Sequence, residues 1–453
     1  MTEMFSQSVT TSSYSTRDRN SDQSWNLWLA LVLLGIFFTP TIRLPGEIPL
    51  RVEDVLIFGT GLIGCCRVLF TLRIKKTEGP WLYLAMVPLS ILLCTAVVAL
   101  SHQYPVGIKE YLDLLRPVKF LIVFLVLAHG DQEASQRTFT SVAGISMIAL
   151  AAIALFQLAF MKIDSNGILA RFFLMYSELE EEHARTMLAM RPFATFNTPT
   201  DLGYISTIGV FVGLVLARGH RRKWIIGASL LALAISETRT FLFSLPLLLV
   251  AEAWMGAGSV RQALRKLRAA FVLAFCGLVF LLGVMRTVSA AGYGMMQNTT
   301  EAITTGNMDQ EESITNRLNN IALAEYTWEH ARWFGVVTRS MLGPAADSEL
   351  LYIFHRYGLV GLTMLLTFYA VGYMWARRFR SRNPQFSHFA IMVLLITFIY
   401  GITQGAIINT RIGVIPFAVL GILSCRKGDE FGAERDMADR RGESAIGAGQ
   451  AQV

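Results

Sequence analysis

Charged side chains are scarce in this sequence and unevenly spread. Asp, Glu, Lys and Arg make up 16% of the 453 residues, against about a quarter in ordinary soluble domains. Trp81–Ile108 and Thr138–Met161 contain none of these four residue types. Because a soluble domain carries charge over its whole surface, this scarcity indicates a chain that crosses a membrane several times.

Metal ligands and reactive thiols are also few. The seven histidines form no HExxH pattern and the cysteines form no CxxC pattern, so we expect no metal or other cofactor. Basic residues in cytoplasmic loops account for the formal charge of +7 without a nucleic-acid partner. None of the five cysteines is placed for an extracytoplasmic disulfide. They are Cys65, Cys66, Cys94, Cys276 and Cys425.

Hydrophobic residues make up 53% of the chain and gather in runs of helical length. Backbone groups in lipid must be satisfied within the chain, and transmembrane strands would show short alternating segments, so these runs predict helices. We expect an all-α polytopic membrane protein with about twelve transmembrane helices. The runs lie at Trp25–Thr41, Val55–Phe70, Trp81–Leu100, Leu112–His129, Thr138–Met161, Leu202–Ala217, Trp224–Ser236, Thr240–Trp254, Ala269–Met285, Leu351–Ala376, Phe386–Ile402 and Ile407–Leu423.

Dense clusters of Lys and Arg between the runs predict their orientation, because basic loops stay in the cytoplasm. With the N-terminus inside, every dense cluster falls on the cytoplasmic side, and the long loops at 162–201 and 286–350 lie outside. We expect disordered cytoplasmic tails over 1–24 and 426–453 and one membrane domain over 25–425. The clusters are Arg67/Arg73/Lys75/Lys76, Arg218/Arg221/Arg222/Lys223, Arg261/Arg265/Lys266/Arg268 and Arg377/Arg378/Arg380/Arg382.

The second long loop contains Ser313–Trp333, whose apolar residues recur at helical spacing. This pattern predicts an amphipathic helix at the membrane surface. Arg317 lies near the predicted start of that helix, where the helix dipole disfavours a cation, which favours a ligand-binding role. Glu325 and Glu329 belong either to a solvated face or to a binding surface.

Two further arginines stand where outer segments meet the membrane. Arg239 follows Glu237 on a very short turn close to the bilayer boundary, where charge is usually paired or functional. The turn therefore holds either a simple Glu237–Arg239 ion pair or a binding residue. Arg191 stands near the start of the segment MRPFATFNTPTD. This segment either brings Arg191 and Asp201 to the outer surface or is an ordinary loop with turn-forming residues.

A last polar group precedes the apolar run at Leu351. Asp347 and His355 fall on nearby helical positions, and so do Glu349 and Arg356. Such side chains either snorkel to water or line a polar pocket inside the helix bundle. The guanidinium fork matches phosphate oxygens and stabilises a phosphate leaving group, so the outer arginines together predict a phosphate-bearing substrate.

Four segments resemble motifs of the O-antigen ligase and polysaccharide polymerase superfamily, in the family's order over roughly the second half of the chain. RPFATFNTPTDLGYI (191–205) is similar to the arginine-led segment with Asn and Pro, and SETRT (236–240) to the short Ser-x-x-Arg turn. NRLNNIALAEYTWEHARWFGV (316–336) resembles the loop in which an Arg opens a helix and an aromatic-Gly motif closes it. DSELLYIFHRYGLVGL (347–362) resembles the motif that ends in Gly-Leu-hydrophobic-Gly.

One departure separates the chain from the ligases of this superfamily. Ligases typically carry a His-Asn pair at the start of the last motif, with a Gly eleven positions on. Here Asp347 and Ser348 occupy that place, with Gly358 at the expected distance. His355 does not stand at the ligase position. An acidic residue there is more similar to the polymerases of exopolysaccharide or O-antigen repeat units.

The resemblance implies a helical membrane glycosyltransferase of the C type, in the bacterial inner membrane with both termini cytoplasmic. Such an enzyme joins polyprenyl-pyrophosphate-linked oligosaccharide repeat units at the outer face. It uses no nucleotide sugar and usually no essential metal. The resemblance also implies a chain-length regulator and export machinery as protein partners.

The resemblance also assigns roles to individual residues. We expect Arg239 and Arg317 to bind the donor pyrophosphate and to stabilise it as it leaves, with Arg191 and Arg339 as further candidates. We expect Asp347 to act as general base on the acceptor hydroxyl.

Two other residues and three other functions stay open. Glu237 replaces Asp347 as base if it is not paired with Arg239, and His355 supports the site or binds the acceptor. Within the enzyme class the alternative is a ligase. Outside it, the alternatives are a transporter of lipid-linked oligosaccharide, although no matching halves are visible, and a scaffold of an export complex.

Overall fold

The structure is a computed structural model of the 453-residue chain. It describes residues 24–44, 48–64, 108–128, 130–161, 168–176, 192–257, 312–336, 348–404 and 411–425, with isolated positions between 259 and 272. The two expected tails, apart from Ser24, lie outside the described residues, as do the predicted run Trp81–Leu100 and nearly all of Ala269–Met285.

The described part of the chain is predominantly α-helical. Its helices are α1 (Ser24–Phe38), α2 (Val52–Leu56), α3 (Ile108–Ala128), α4 (Gln132–Met161), α5 (Ile168–Leu174), α6 (Pro199–Phe211), α7 (Gly219–Ser236), α8 (Arg239–Met255), α9 (Glu312–His330), α10 (Glu349–Arg378), α11 (Pro384–Thr403) and α12 (Val414–Ser424). Turns of π-helix at Ile57–Gly61 and Val212–Leu216 extend α2 and α6. A short 3₁₀ turn, Phe379–Ser381, follows α10.

Among the residues that the structure describes, four helical stretches are long and apolar enough to cross a membrane. Their bounds are Gln132–Ala159, Pro199–Leu216, Glu349–Ser381 and Pro384–Ile402, and α1, α8 and α12 are shorter apolar helices. The prediction of an α-helical protein with membrane-type helices is thus confirmed. The number of about twelve spans, their orientation and the extracytoplasmic loops stay predictions.

Large apolar side chains point outward along these helices. On α8, Leu247 is 70% exposed and Phe243 61% exposed, and on α4 Ile145 is 68% exposed. Soluble monomers rarely expose contiguous apolar surface of this kind, whereas lipid-facing helices do so along their whole length.

Two described elements depart from the pattern of apolar runs. Between α1 and α2 the strands β1 (Thr41–Leu44) and β2 (Ile48–Arg51) form an antiparallel hairpin, in which Thr41 pairs with Arg51. Within the run expected at Ile407–Leu423, Arg411–Gly413 form a turn and α12 begins at Val414, while positions 407–410 lie outside the described residues.

The described helices pack around one large apolar core, and Phe173 and Phe193 form a small second cluster. Helix α12 lies along α3, α7 packs between α4 and α6, and α11 contacts α6, α8, α10 and α12. The rings of Phe120, Phe417 and Phe368 stack in series, with centroids 5.1 Å and 4.8 Å apart, and join α3, α12 and α10. This packing brings the starts of α6, α8 and α10 to the end of α11.

Candidate functional site

The first part of the candidate site is the contact between the start of α6 and the turn that joins α7 to α8. Thr198 caps α6 by accepting a hydrogen bond from the Asp201 amide at 3.2 Å, and Pro199 occupies the first turn. Thr238 in the turn donates its hydroxyl proton to the Pro199 carbonyl at 3.1 Å. Gly203 permits this approach, since a Cβ there would lie 2.6 Å from the Thr238 hydroxyl oxygen.

Two carboxylates are buried beside this contact. Asp201 is 2% exposed and accepts a hydrogen bond from the Tyr400 hydroxyl at 2.5 Å. Glu349, at the start of α10, is fully buried and accepts one from the Tyr369 hydroxyl at 3.4 Å. The Glu349 side chain also lies against Gly401, the residue after Tyr400. The end of α11 therefore joins both carboxylates.

Aromatic rings form the inner wall of this cluster. The Tyr204 ring lies 4.9 Å from Tyr400 and 6.1 Å from Phe241, and Phe241 stacks on Tyr400 at 5.6 Å. The hydroxyls of Tyr204 and Thr397 share a hydrogen bond of 2.9 Å. These rings exclude water on one side, and charges interact more strongly in a site of that kind.

Three helix starts thus converge on one polar cluster. Helix N-termini carry partial positive charge and favour anions. The carboxylates of Asp201 and Glu349, which lie at the starts of α6 and α10, supply part of the negative charge that these helix starts favour. The same arrangement suits the binding of a phosphate when arginines stand beside it.

The structure locates four of the seven residues that the sequence proposes for the site. Arg239 is the first residue of α8, and Arg317 lies six residues into α9; for both, only the backbone is described. Glu237 is 6% exposed and ends α7 in the left-handed conformation, with φ of 51°. His355 is buried in α10. The other three, Arg191, Arg339 and Asp347, lie outside the described residues.

The predicted turn and the predicted loop helix are both confirmed as backbone structure. Helix α7 ends at Ser236 and α8 begins at Arg239, so Glu237 and Thr238 alone make the turn. Helix α9 covers Glu312–His330, within three residues of the predicted Ser313–Trp333. The structure places Arg239 beside the Thr238–Pro199 contact. It brings α9 against α10 rather than against the Asp201 cluster.

The contact between α9 and α10 has its own polar centre. Thr327 and the Nδ1 atom of His355 share a hydrogen bond, and the Thr327 hydroxyl also donates to the Leu323 carbonyl at 2.9 Å. Next to His355, the buried Arg356 donates to the Tyr352 hydroxyl. The Arg356 guanidinium lies 5.4 Å from the centre of the Tyr357 ring. Sequence spacing identified His355 and Arg356, and nothing in it pointed to Thr327.

Segment 192–198, which leads into α6, is held by two buried polar side chains that the sequence analysis missed. Gln157 accepts from the Ala194 amide at 2.7 Å and donates to the Ala194 carbonyl at 2.8 Å, while φ of Ala194 is 51°. Arg411 donates to the carbonyls of Ile36, Thr195 and Thr39 and lies over the Phe196 ring. No spacing rule could find these contacts, since Arg411 is 216 residues from Thr195.

A further set of buried charges lies near the hairpin. Lys119 of α3 forms an ion pair with Asp54 at 2.5 Å. Glu53 accepts from the Thr39 hydroxyl at 2.6 Å and lies 3.8 Å from Arg51. These contacts tie the hairpin to α1 and α3, and the Arg411 bond to Thr39 continues them to α12. These contacts explain how the hairpin is held in place, and we assign them no role in a reaction.

Two of the described titratable groups outside the apolar spans have shifted pKa values. Burial raises the pKa of Tyr176, and the positive charge of Arg411 partly opposes that rise. Burial raises the pKa of the Cys425 thiol, which donates to the Leu127 carbonyl at 2.7 Å. Cys425 is thus an inert buried side chain. Within the described ranges, no three His, Cys, Asp or Glu side chains gather as metal ligands would.

The fold and the site define the chain as an α-helical protein with membrane-type helices and a buried polar site at converging helix starts. No model of a known protein family matches the chain. A comparison with curated proteins finds no match either.

Proposed function

We propose that the chain is an integral membrane glycosyltransferase, a polymerase that joins polyprenyl-pyrophosphate-linked oligosaccharide repeat units at the outer face of the bacterial inner membrane. The single observation that carries the proposal is the convergence of three motif segments. The Thr238–Pro199 contact joins the SETRT turn to the segment that ends at Asp201. Tyr400 and Gly401 then join Asp201 to Glu349 at the start of the last motif.

The arrangement supports recognition of a pyrophosphate. Helix α8 begins with Arg239 beside the Asp201 cluster, and the dipole of that helix start adds to the guanidinium charge. In the proposed reaction Arg239 and Arg317 hold the donor pyrophosphate, with Arg191 and Arg339 as further ligands. Asp347 is the base that the resemblance assigns. Repeat-unit transfer needs no nucleotide sugar, because the lipid pyrophosphate is itself the leaving group.

The test is a polymerisation assay with the full chain in proteoliposomes. The probe is the lipid-linked oligosaccharide extracted from cells of the source organism that lack this gene, supplied without nucleotide sugar. We expect a ladder of longer lipid-linked glycans. Arg317→Lys keeps the charge but loses the fork, so it should lower the amount of long product at least about tenfold at equal protein level. A ladder of normal length from Arg317→Lys would remove Arg317 from the mechanism.

The same assay separates polymerase from ligase. A ligase moves the glycan from the lipid carrier to a different acceptor and leaves the length distribution of lipid-linked species unchanged. Adding a lipid A-type acceptor therefore distinguishes the two reactions. Growth without that acceptor supports the polymerase.

A transporter is the second candidate, and one observation favours it. Helix α10 is interrupted at Gly358, whose φ and ψ are 65° and −161°, and broken helices are common at transport sites. The discriminating measurement is the leaflet in which the lipid-linked oligosaccharide lies after incubation. If the oligosaccharide changes leaflet without growing, the transporter replaces the polymerase.

A further inference from the structure

The two ring nitrogens of His355 have different surroundings. Nδ1 is hydrogen-bonded to the Thr327 hydroxyl across the contact between α9 and α10. Nε2 is buried and has no hydrogen-bond partner among the residues that the structure describes. His355 as a whole is 1% exposed and Thr327 is fully buried. A histidine that serves only packing usually satisfies both nitrogens once water is excluded.

The hydrogen bonds around Thr327 select one form of the neutral imidazole. The Thr327 hydroxyl has one proton, which it donates to the Leu323 carbonyl at 2.9 Å. The oxygen of that hydroxyl must then accept from His355, so the ring proton sits on Nδ1. Nε2 is left with a free lone pair. It can only accept a proton or a hydrogen bond.

His355 also lies at the break in α10. Helix geometry stops at Gly358, and segment 331–336 fills the gap. The Leu359 amide donates to the Arg332 carbonyl at 2.7 Å, and the Val336 amide donates to the His355 carbonyl at 2.9 Å. Non-helical backbone at a membrane-type helix is typical of binding sites. The broken helix and the unpartnered Nε2 are two independent observations at one place.

We propose that His355 is the group that takes the proton from the attacking hydroxyl of the acceptor sugar, and that Thr327 positions it. The proposal rests on the proposed function and deepens it, since it assigns the base to a residue other than Asp347. The substrate class at Nε2 is a sugar hydroxyl, which is a donor that matches the lone pair.

The step balances within the proposed reaction. As the acceptor oxygen forms its bond to the anomeric carbon, the bond from that carbon to the pyrophosphate oxygen breaks. The electron pair of the broken bond leaves with the lipid pyrophosphate. The acceptor proton moves to Nε2, and the imidazolium then returns it to the departing pyrophosphate or to water.

The first experiment replaces His355 in the proteoliposome assay with the extracted lipid-linked oligosaccharide. We expect His355→Gln to lower the rate of chain growth by about 10² to 10⁴, which is the usual contribution of a general base. The matched control is His330→Gln. His330 lies on α9 and is exposed, with its ring stacked on Tyr326, so its replacement should leave the rate within about twofold.

The second experiment separates chemistry from folding. Thr327→Ser keeps the hydroxyl and should retain most of the rate, whereas the isosteric Thr327→Val should lower it about tenfold, the effect of one buried hydrogen bond. Added imidazole should raise the rate of chain growth by the His355→Ala variant by at least about tenfold. Pyrazole, a far weaker base, should not raise it. A purely structural histidine would show neither pattern.

The outcomes are distinguishable from failure of the proposed function. If the wild-type chain makes no ladder, the polymerase proposal fails. If wild type makes a ladder, His355→Gln makes the same ladder at the same rate, and Asp347→Asn abolishes it, then His355 is not the base. Equal rates for Thr327→Ser and Thr327→Val would remove the positioning role of Thr327.

Discussion

Gly335 and Gly358 pack against each other's neighbours. Gly335 contacts the backbone of Tyr357, which precedes Gly358, and Gly358 contacts the backbone of Phe334, which precedes Gly335. A Cβ on Gly335 would stand 2.5 Å from the Tyr357 nitrogen, and a Cβ on Gly358 would stand 2.6 Å from the Phe334 nitrogen. Both residues have positive φ, 72° and 65°. This reciprocal contact holds segment 331–336 inside the break of α10, and it fixes the relation between the two helices that carry Thr327 and His355.

Alanine at Gly358 should therefore destabilise the protein strongly. Left-handed backbone and backbone overlap both disfavour a Cβ, and together they should cost more than about 2 kcal/mol. The measurement is the thermal midpoint of the detergent-solubilised protein. Gly227→Ala is the control, because that residue is exposed on α7 and a Cβ there would meet no atom within 4 Å. A Gly358→Ala midpoint as high as that of the control would contradict the packing.

Phenylalanine at Tyr400 should lower both stability and activity. The change removes the hydroxyl that donates to Asp201 at 2.5 Å but keeps the ring that stacks on Phe241. The loss of one donor to a buried carboxylate costs about 1–3 kcal/mol of folding free energy. Because the Asp201 side chain also loses the bond that orients it, we expect about tenfold less polymer at equal protein level. Tyr373→Phe is the control, since Tyr373 is 43% exposed. If both variants make equal amounts of polymer, the Asp201 cluster is not part of the site.

Lysine at Arg411 should lower the free energy of unfolding. The guanidinium donates from all three nitrogens to carbonyls of Ile36, Thr195 and Thr39, and one ammonium group on a different stem cannot reach all three. The expected loss is about 3 kcal/mol, from hydrogen bonds that involve a charged donor. Arg380→Lys serves as comparison, because the Arg380 bond to the Met255 carbonyl is exposed. Equal unfolding midpoints in denaturant would show that the Arg411 contacts contribute little.

The predicted orientation can be tested by cysteine labelling. In a chain whose native cysteines are replaced by serine or alanine, Glu180→Cys in the first long loop should react with an impermeant thiol reagent in intact cells. Lys223→Cys, at the exposed start of α7, should react only after permeabilisation. The reverse pattern would overturn the orientation, and labelling of both would contradict a single topology.

The element boundaries show how far apolar runs predict helices. The run expected at Thr240–Trp254 matches α8 at both ends, and the run expected at Trp224–Ser236 ends where α7 ends, because Glu237 and Thr238 interrupt the runs sharply. Helix α7 begins earlier than expected, at Gly219, because the basic residues before Trp224 are also helical. Within the run expected at Ile407–Leu423, hydropathy alone does not reveal the turn at Arg411. Gly358 was assigned to a motif by spacing. Its positive φ could not be read from the sequence, because a glycine adopts helical and left-handed backbone with similar ease.

By itself, the sequence determined that the chain is helical and rich in membrane-type segments, since helix formation in apolar runs follows from local composition and from the need to satisfy backbone hydrogen bonds. It also singled out Glu237 and Arg239 by their position between two closely spaced apolar runs, and His355 by its helical spacing from Asp347. Only the tertiary structure decided which polar groups meet. Tyr400 reaches Asp201 across 199 residues and Thr327 reaches His355 across 28, and such pairs depend on how helices pack against one another rather than on periodicity along one of them.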